Sequence, residues 1–93
     1  MEVVCKLYGP PREAVGEKRV RYDVETGATV EDVLETAIET HPALEESLYA
    51  DDGTLRESIG VLTNRTNISQ REGLATPVEE GDELLITPPI HGG

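Results

Sequence analysis

No tryptophan and no phenylalanine occur in this chain of 93 residues, and tyrosine appears three times. With so little aromatic bulk, a core must be assembled from Val, Leu, Ile and Ala. That predicts a small body of sheet and helix rather than a deep pocket with apolar walls and converging polar groups. Cysteine occurs once, at Cys5, which excludes an intramolecular disulfide and a CxxC metal or redox motif. Cys5 lies in an alternating apolar stretch, so it reads as a buried small residue rather than a reactive thiol. No run of 18 apolar residues exists for a membrane-spanning helix. Met1-Glu2 opens the chain without a basic or apolar leader region, so a cytoplasmic protein is expected. In that compartment Asn64-Arg65-Thr66 and Asn67-Ile68-Ser69 carry no glycosylation signal.

Cations are scarce as well. Lys+Arg number 8 against 19 Asp+Glu, a net charge of −11, and Lys6 and Lys18 are the only lysines. Without a basic patch to displace counterions, nucleic acid and anionic membrane surfaces are excluded as partners. This many like charges repel one another at low salt. At 1 M salt the Debye length is about 3 Å and most of that repulsion disappears. An acidic, lysine-poor surface of this kind is expected of a protein from a salt-rich cytoplasm. The motifs of a stand-alone enzyme are missing too: there is no P-loop, GxSxG or HExxH, and no Cys/His pair at useful spacing. Asp51-Asp52-Gly53 lacks the remaining ligands of a calcium loop and reads as a solvated turn. No metal site or bound cofactor is expected.

What is present is a clear alternation of elements within one domain. Residues 2–8 read as a strand, with Val3, Cys5 and Leu7 on one face and Val4, Lys6 and Tyr8 on the other. Gly9-Pro10-Pro11 breaks it, and residues 12–16 make a turn or a single helical turn. Residues 19–24 alternate, with Val20, Tyr22 and Val24 inward, and pair with the first strand as a hairpin. Thr29 suits a helix N-cap, followed by acidic Glu31 and Asp32 at the positive end of the helix dipole. Val30, Val33, Leu34, Ala37 and Ile38 then form one apolar stripe. Pro42 ends this helix, with His41 at its carbonyl end. Residues 43–49 form a shorter helix that packs Leu44 and Leu48 down. Residues 59–63 read as a strand followed by a turn at Asn64. Residues 74–78 read as irregular. Residues 83–87 form the last strand, with Leu84 and Ile86 opposite in facing to Leu85. Pro88-Pro89 bars further ladder pairing. A single amphipathic helix needs a sheet to cover it, so the expected fold is α+β, with a mixed sheet of four to five strands over one main helix.

Several segments together resemble a known family: Arg12-Glu13 with Gly16; Thr29-Val30-Glu31-Asp32-Val33-Leu34; His41-Pro42-Ala43-Leu44; Ile59-Gly60-Val61-Leu62; Gly81-Asp82-Glu83; and Pro88-Pro89-Ile90-His91-Gly92-Gly93. The pattern is similar to the MoaD/ThiS group of ubiquitin-like sulfur carriers, and most of all to the small archaeal modifier proteins of haloarchaea. The His91-Gly92-Gly93 ending also resembles that of the eukaryotic ubiquitin-related modifier of tRNA thiolation. Three positions depart from the family pattern. Arg65 stands where relatives usually have Gly, Pro11 where an apolar residue is frequent, and Thr87 where many have Phe.

The resemblance implies a β-grasp domain over residues 1–87 and a flexible tail over 88–93. It implies a modifier and sulfur carrier whose Gly93 carboxylate is activated by a ubiquitin-activating-like adenylating enzyme that consumes ATP. The acyl-adenylate then passes to target-protein lysines as an isopeptide, or becomes a thiocarboxylate that delivers sulfur to molybdopterin precursor or tRNA. Narrower readings stay open: the small subunit of molybdopterin synthase, acting only with its large subunit, or an interaction domain whose tail is unused. No catalytic residue is expected on the chain itself, and a monomer is expected. Gly92 and Gly93 suit a tail that threads a narrow site, because glycine visits positive φ freely. Pro88 and Pro89 limit the freedom of the tail's root, which lowers the entropy lost on docking. Ile90, Leu62 and Leu85 are expected apolar docking residues, with ordinary packing as the alternative for the two leucines. Arg12 is the expected ionic anchor. His91 has two readings, a partner contact able to titrate near neutrality or a tolerated variable position.

Overall fold

A computed structural model describes residues 1–88. The chain runs β1 (Glu2–Leu7), α1 (Pro10–Val15), β2 (Arg19–Asp23), α2 (Val30–Thr40), α3 (Leu44–Leu48), β3 (Gly60–Thr63), β4 (Thr66–Asn67) and β5 (Glu83–Thr87). Two 3₁₀ turns, Ile68–Gln70 and Gly73–Ala75, precede the last strand. The five strands form one mixed sheet in the order β2-β1-β5-β3-β4. β1 and β5 lie parallel at its centre, and each continues outward into an antiparallel partner. This is the β-grasp arrangement.

The expected hairpin of β1 and β2 is present, in the register Val3↔Tyr22 and Cys5↔Val20. Its connection carries α1, a six-residue helix that buries Pro11. Pro11 thus fills an apolar position, and proline is tolerated there because the first helical N–H groups need no intrahelical acceptor.

The α2 helix begins where Thr29 predicts. The Thr29 side chain accepts from the Asp32 N–H at 3.4 Å, and the Asp32 carboxylate accepts from the Thr29 N–H at 2.9 Å. This reciprocal pair satisfies two donors that helix geometry leaves without partners. His41 is the C-cap, its backbone N–H donating to the Ala37 carbonyl. Val30, Val33, Leu34 and Ala37 turn fully inward. They meet the inner face of the sheet: Val3, Cys5 and Leu7 of β1, Tyr22 of β2, Val61 of β3, and Leu84 and Ile86 of β5. Leu44 and Leu48 of α3 complete the core.

The segment expected to be irregular is better ordered than its composition indicates. Val30 N–H donates to the Thr76 carbonyl and Val78 N–H to the Ala28 carbonyl, at 2.9 and 3.0 Å. These bonds strap residues 76–78 to the start of α2. The buried Thr76 hydroxyl donates to Gly73 O at 2.7 Å and accepts from Glu72 N–H at 3.1 Å. The buried Thr63 hydroxyl accepts from Arg71 at 2.7 Å. Both hydroxyls are therefore satisfied, whereas the buried Tyr22 hydroxyl has no hydrogen-bond partner among the described residues.

The β3–β4 turn resolves one departure from the family pattern. Leu62↔Asn67 and Thr63↔Thr66 pair across a two-residue loop, Asn64-Arg65, with φ of 48° and 75°. Positive φ at both positions is what a type I′ hairpin requires. Arg65 adopts the backbone that glycine would favour, so the turn keeps its shape and carries the strain.

Cys5 is fully buried, and burial pushes its thiol up to about 12. The inert reading of this cysteine follows directly. The Asp52 carboxylate accepts from the Thr54 hydroxyl at 2.7 Å and the Thr54 N–H at 3.0 Å. Those bonds stabilise the carboxylate and lower its pKa from the ordinary value, and they make the segment a self-closed turn. Among the described residues no helix is long and apolar enough to cross a membrane.

Candidate functional site

Parallel pairing of β1 and β5 brings the far ends of both strands to one edge of the sheet. Beyond that edge β1 turns into Gly9 and α1, and β5 reaches Pro88. Tyr8 N–H donates to the Ile86 carbonyl at 3.0 Å. Thr87 pairs with Gly60 on the other side. The Thr87 hydroxyl donates to the Pro88 carbonyl at 3.1 Å. This bond ties Thr87 to the start of the tail. Pro89, Ile90, His91, Gly92 and Gly93 lie outside the described residues.

Strand alternation and register together build the exposed face. Leu62 faces Leu85 across β3 and β5, Leu85 faces Lys6 across β5 and β1, and Lys6 faces Arg19 across β1 and β2. One row therefore runs from cation to apolar across the sheet. Leu62 and Leu85 are half-buried. Neither belongs to the core cluster, and the two are paired with each other across β3 and β5. Val4, in the next row with Arg21 and Glu83, is almost fully covered although it points outward.

The cations gather here. Lys6 pairs with Glu83 at 3.3 Å and Arg19 approaches the same carboxylate at 3.9 Å. The Lys18 ammonium lies 5.0 Å from the centre of the Tyr8 ring, within cation–π range. Arg65 flanks a shallow depression that it shares with Lys6, Tyr8, Asn64, Glu83 and Leu85. With Arg21 these make five of the chain's eight Lys+Arg on one face. The exposed charged residues of α2 and α3 are all acidic: Glu31, Asp32, Glu35, Glu39, Glu45 and Glu46. The cations are thus concentrated on the sheet face, although Glu2, Asp23 and Glu83 share it.

The expected site residues divide accordingly. Leu62 and Leu85 come together on the sheet, and Pro88 sits at its edge. Arg12 is exposed on α1 past that edge, outside the leucine row. Sequence reasoning did not identify Lys6 and Tyr8 as neighbours of Leu85, or Arg19 and Arg21 as sharing its face of the sheet. Their outward facing was legible from alternation, but the strand order that joins them was not. Gly9 read only as a strand break.

Residues 5–93 match the model of the ThiS family. The chain is 40% identical over 88 residues to small archaeal modifier protein 1 of Haloferax volcanii, covering 95% of this chain and 97% of that protein. It is 28% identical over 93 residues to the molybdopterin synthase sulfur carrier subunit of Chlamydomonas reinhardtii, covering 100% of both. The crystal structure of SAMP1 from Haloferax volcanii superposes with a TM-score of 0.86 at 38% identity, covering 100% of each chain.

Proposed function

Because the chain belongs to the ThiS family, we propose that it is a ubiquitin-like small modifier and sulfur carrier whose reactive group is the Gly93 carboxylate. The observation that carries this reading is the near full-length similarity to small archaeal modifier protein 1. The geometry supports it. The sheet ends at Pro88 on the same edge as Gly9, and the leucine row lies on the adjoining face.

The chemistry needs no acid or base from this chain. A ubiquitin-activating-like enzyme joins the Gly93 carboxylate to AMP from ATP and releases pyrophosphate. A lysine amine of a target protein then displaces AMP and forms an isopeptide. Alternatively, the outer sulfur of a donor protein's persulfide displaces AMP to give an acyl disulfide. A second thiol of the donor then cleaves the S–S bond, leaving a terminal thiocarboxylate and a donor disulfide. The thiocarboxylate transfers its sulfur to molybdopterin precursor or tRNA. The chain is substrate and carrier, and the partners supply catalysis. Gly92 and Gly93 let the backbone enter a narrow channel. Pro88 and Pro89 restrict the root. Leu62, Leu85 and Ile90 supply apolar contact, the cations of β1 and β2 meet carboxylates on the partner, Arg12 is the ionic anchor, and His91 contacts the partner from within the tail. The protein works as a cytoplasmic monomer.

The test is intact-mass and conjugate analysis of tagged protein recovered from its own cell, with and without Gly92-Gly93. The reading expects a sulfur-for-oxygen mass gain, isopeptide conjugates, and loss of both on deletion. Survival of the conjugates after deletion overturns it. Trypsin cleaves last after Arg71, so the modified lysine carries residues 72–93 rather than a diglycine. The likeness to the Chlamydomonas subunit favours a second reading, the small subunit of molybdopterin synthase alone. Thiocarboxylate without any isopeptide, together with recovery of a large partner subunit, selects it.

A further inference from the structure

We propose that Gly9 is a positioning residue for the tail: lacking a Cβ, it forms the seat for the Pro88 ring and so sets where the tail starts. A Cβ built on Gly9 would lie 2.6 Å from Pro88 Cγ and 3.0 Å from Pro88 Cδ. Contacts under 3.0 Å are not sustained by real Cβ atoms, so one side must move. Gly9 is poorly free to do so. Its neighbour Tyr8 is bonded to the Ile86 carbonyl at 3.0 Å, and its own carbonyl accepts from Glu13 N–H at 3.1 Å, as the first helical bond of α1. Its backbone, at φ 66° and ψ −142°, lies in a region that glycine occupies almost alone. On the other side, the Pro88 ring cannot rotate away like a flexible side chain, and Thr87 before it is held by pairing with Gly60. A side chain at position 9 therefore displaces Pro88 and re-aims everything beyond it.

This rests on the carrier reading for its consequence in activity, not for its geometry. A small displacement at the root of a threaded substrate is costly, because reacting groups must be held in near-attack geometry. The remaining glycines of the described residues provide an internal control. Gly16 has φ of 87°, but a Cβ there meets nothing within 4 Å. Substitution at Gly16 thus imposes backbone strain without touching the tail.

The experiment measures ATP-dependent adenylation by the activating enzyme of the protein's own cell, with folding of each variant followed by amide spectra and melting. Gly9→Ala is expected to raise KM about tenfold with kcat nearly unchanged, whereas Gly16→Ala lowers stability and leaves KM alone. Pro88→Ala removes the two clashing ring atoms and raises KM by only about threefold. The double variant Gly9→Ala/Pro88→Ala returns to the KM of Pro88→Ala. Normal KM in Gly9→Ala, or a double variant as impaired as Gly9→Ala, overturns the proposal. So does the absence, in the unsubstituted protein, of a nuclear Overhauser contact between Gly9 Hα and the Pro88 ring, a measurement that holds even if Gly9→Ala does not fold. Failure of the unsubstituted protein to be adenylated counts against the carrier reading alone, because the Overhauser contact still reports the seat.

Discussion

Leu62 and Leu85 face each other across β3 and β5 on the outward side of the sheet, half-buried and outside the core. A pair of leucines held side by side on a rigid sheet, next to the edge that leads to the tail, is a small apolar anchor bordered by cations. Hot spots of protein interfaces have this form, a central apolar contact with a polar surround.

Substituting either leucine by Glu removes the anchor and adds a charge that repels the partner's carboxylates. We expect KM for adenylation to rise at least about tenfold, corresponding to about 1.4 kcal/mol of binding, with the melting temperature little altered. Reversing Glu35 and Glu39 on the opposite, acidic side to Lys should leave KM unchanged. Steady-state adenylation of folded Leu62→Glu at the parental KM would remove the sheet face from the interface.

Arg65 holds a positive φ of 75°. Relief of left-handed strain contributes about 1–2 kcal/mol, offset by about 0.4–1 kcal/mol of extra freedom in the unfolded chain. Arg65→Gly is therefore expected to be more stable by about 0.5–1 kcal/mol, read from denaturant unfolding at fixed salt. A loss of stability would mean that the Arg65 side chain contributes more than its backbone costs.

Thr29→Ala breaks the reciprocal cap of α2. The expected loss is about 1 kcal/mol, which for a domain of this size lowers the melting temperature by about 4–8 °C. Thr29→Ser keeps the acceptor oxygen and should recover most of it.

Stability should fall in alkali. Cys5 titrates from an ordinary value of 9.0 in the unfolded chain, and burial raises it to about 12 in the fold. Tyr22 rises from 10.0 to about 12, through burial first and then the neighbouring Cys5 and Glu17 charges. Above pH 9 the unfolded chain has lost a proton that the native state retains, so stability decreases as pH rises, by about 1.4 kcal/mol per pH unit for each such group. Cys5→Ala should move the onset from near pH 9 toward pH 10. Urea melts across pH 8–11 check this, and an unshifted onset would assign the alkaline loss to other groups.

Much of the fold was legible because local patterns and tertiary demands agree in this chain. The stripe from Val30 to Ile38, the Thr29 cap and the Pro42 stop defined α2 without reference to any neighbour. Alternation in residues 2–8 placed Cys5 inward and Lys6 outward. The short β4 strand and the two 3₁₀ turns were not legible. Two residues, Thr66 and Asn67, have no detectable period, and the order of residues 76–78 comes from bonds to Thr29's neighbours, more than 40 positions away in sequence. The candidate site divides in the same way. Leu85 is marked by its position between Leu84 and Ile86, yet its companions Leu62, Lys6 and Arg19 arrive from three other strands.

By itself, then, the amino-acid order determined the helix, the facing of each long strand, the charge excess and the Pro-Pro-Ile-His-Gly-Gly ending, since each depends on neighbours within a turn or two of chain. Only the tertiary structure decided which strands lie side by side. With β5 inserted beside β1, the leucines join the cations in one row and Pro88 comes to rest on Gly9. Strand order is settled by the burial of one shared core beneath α2, a global balance that no short window of sequence contains.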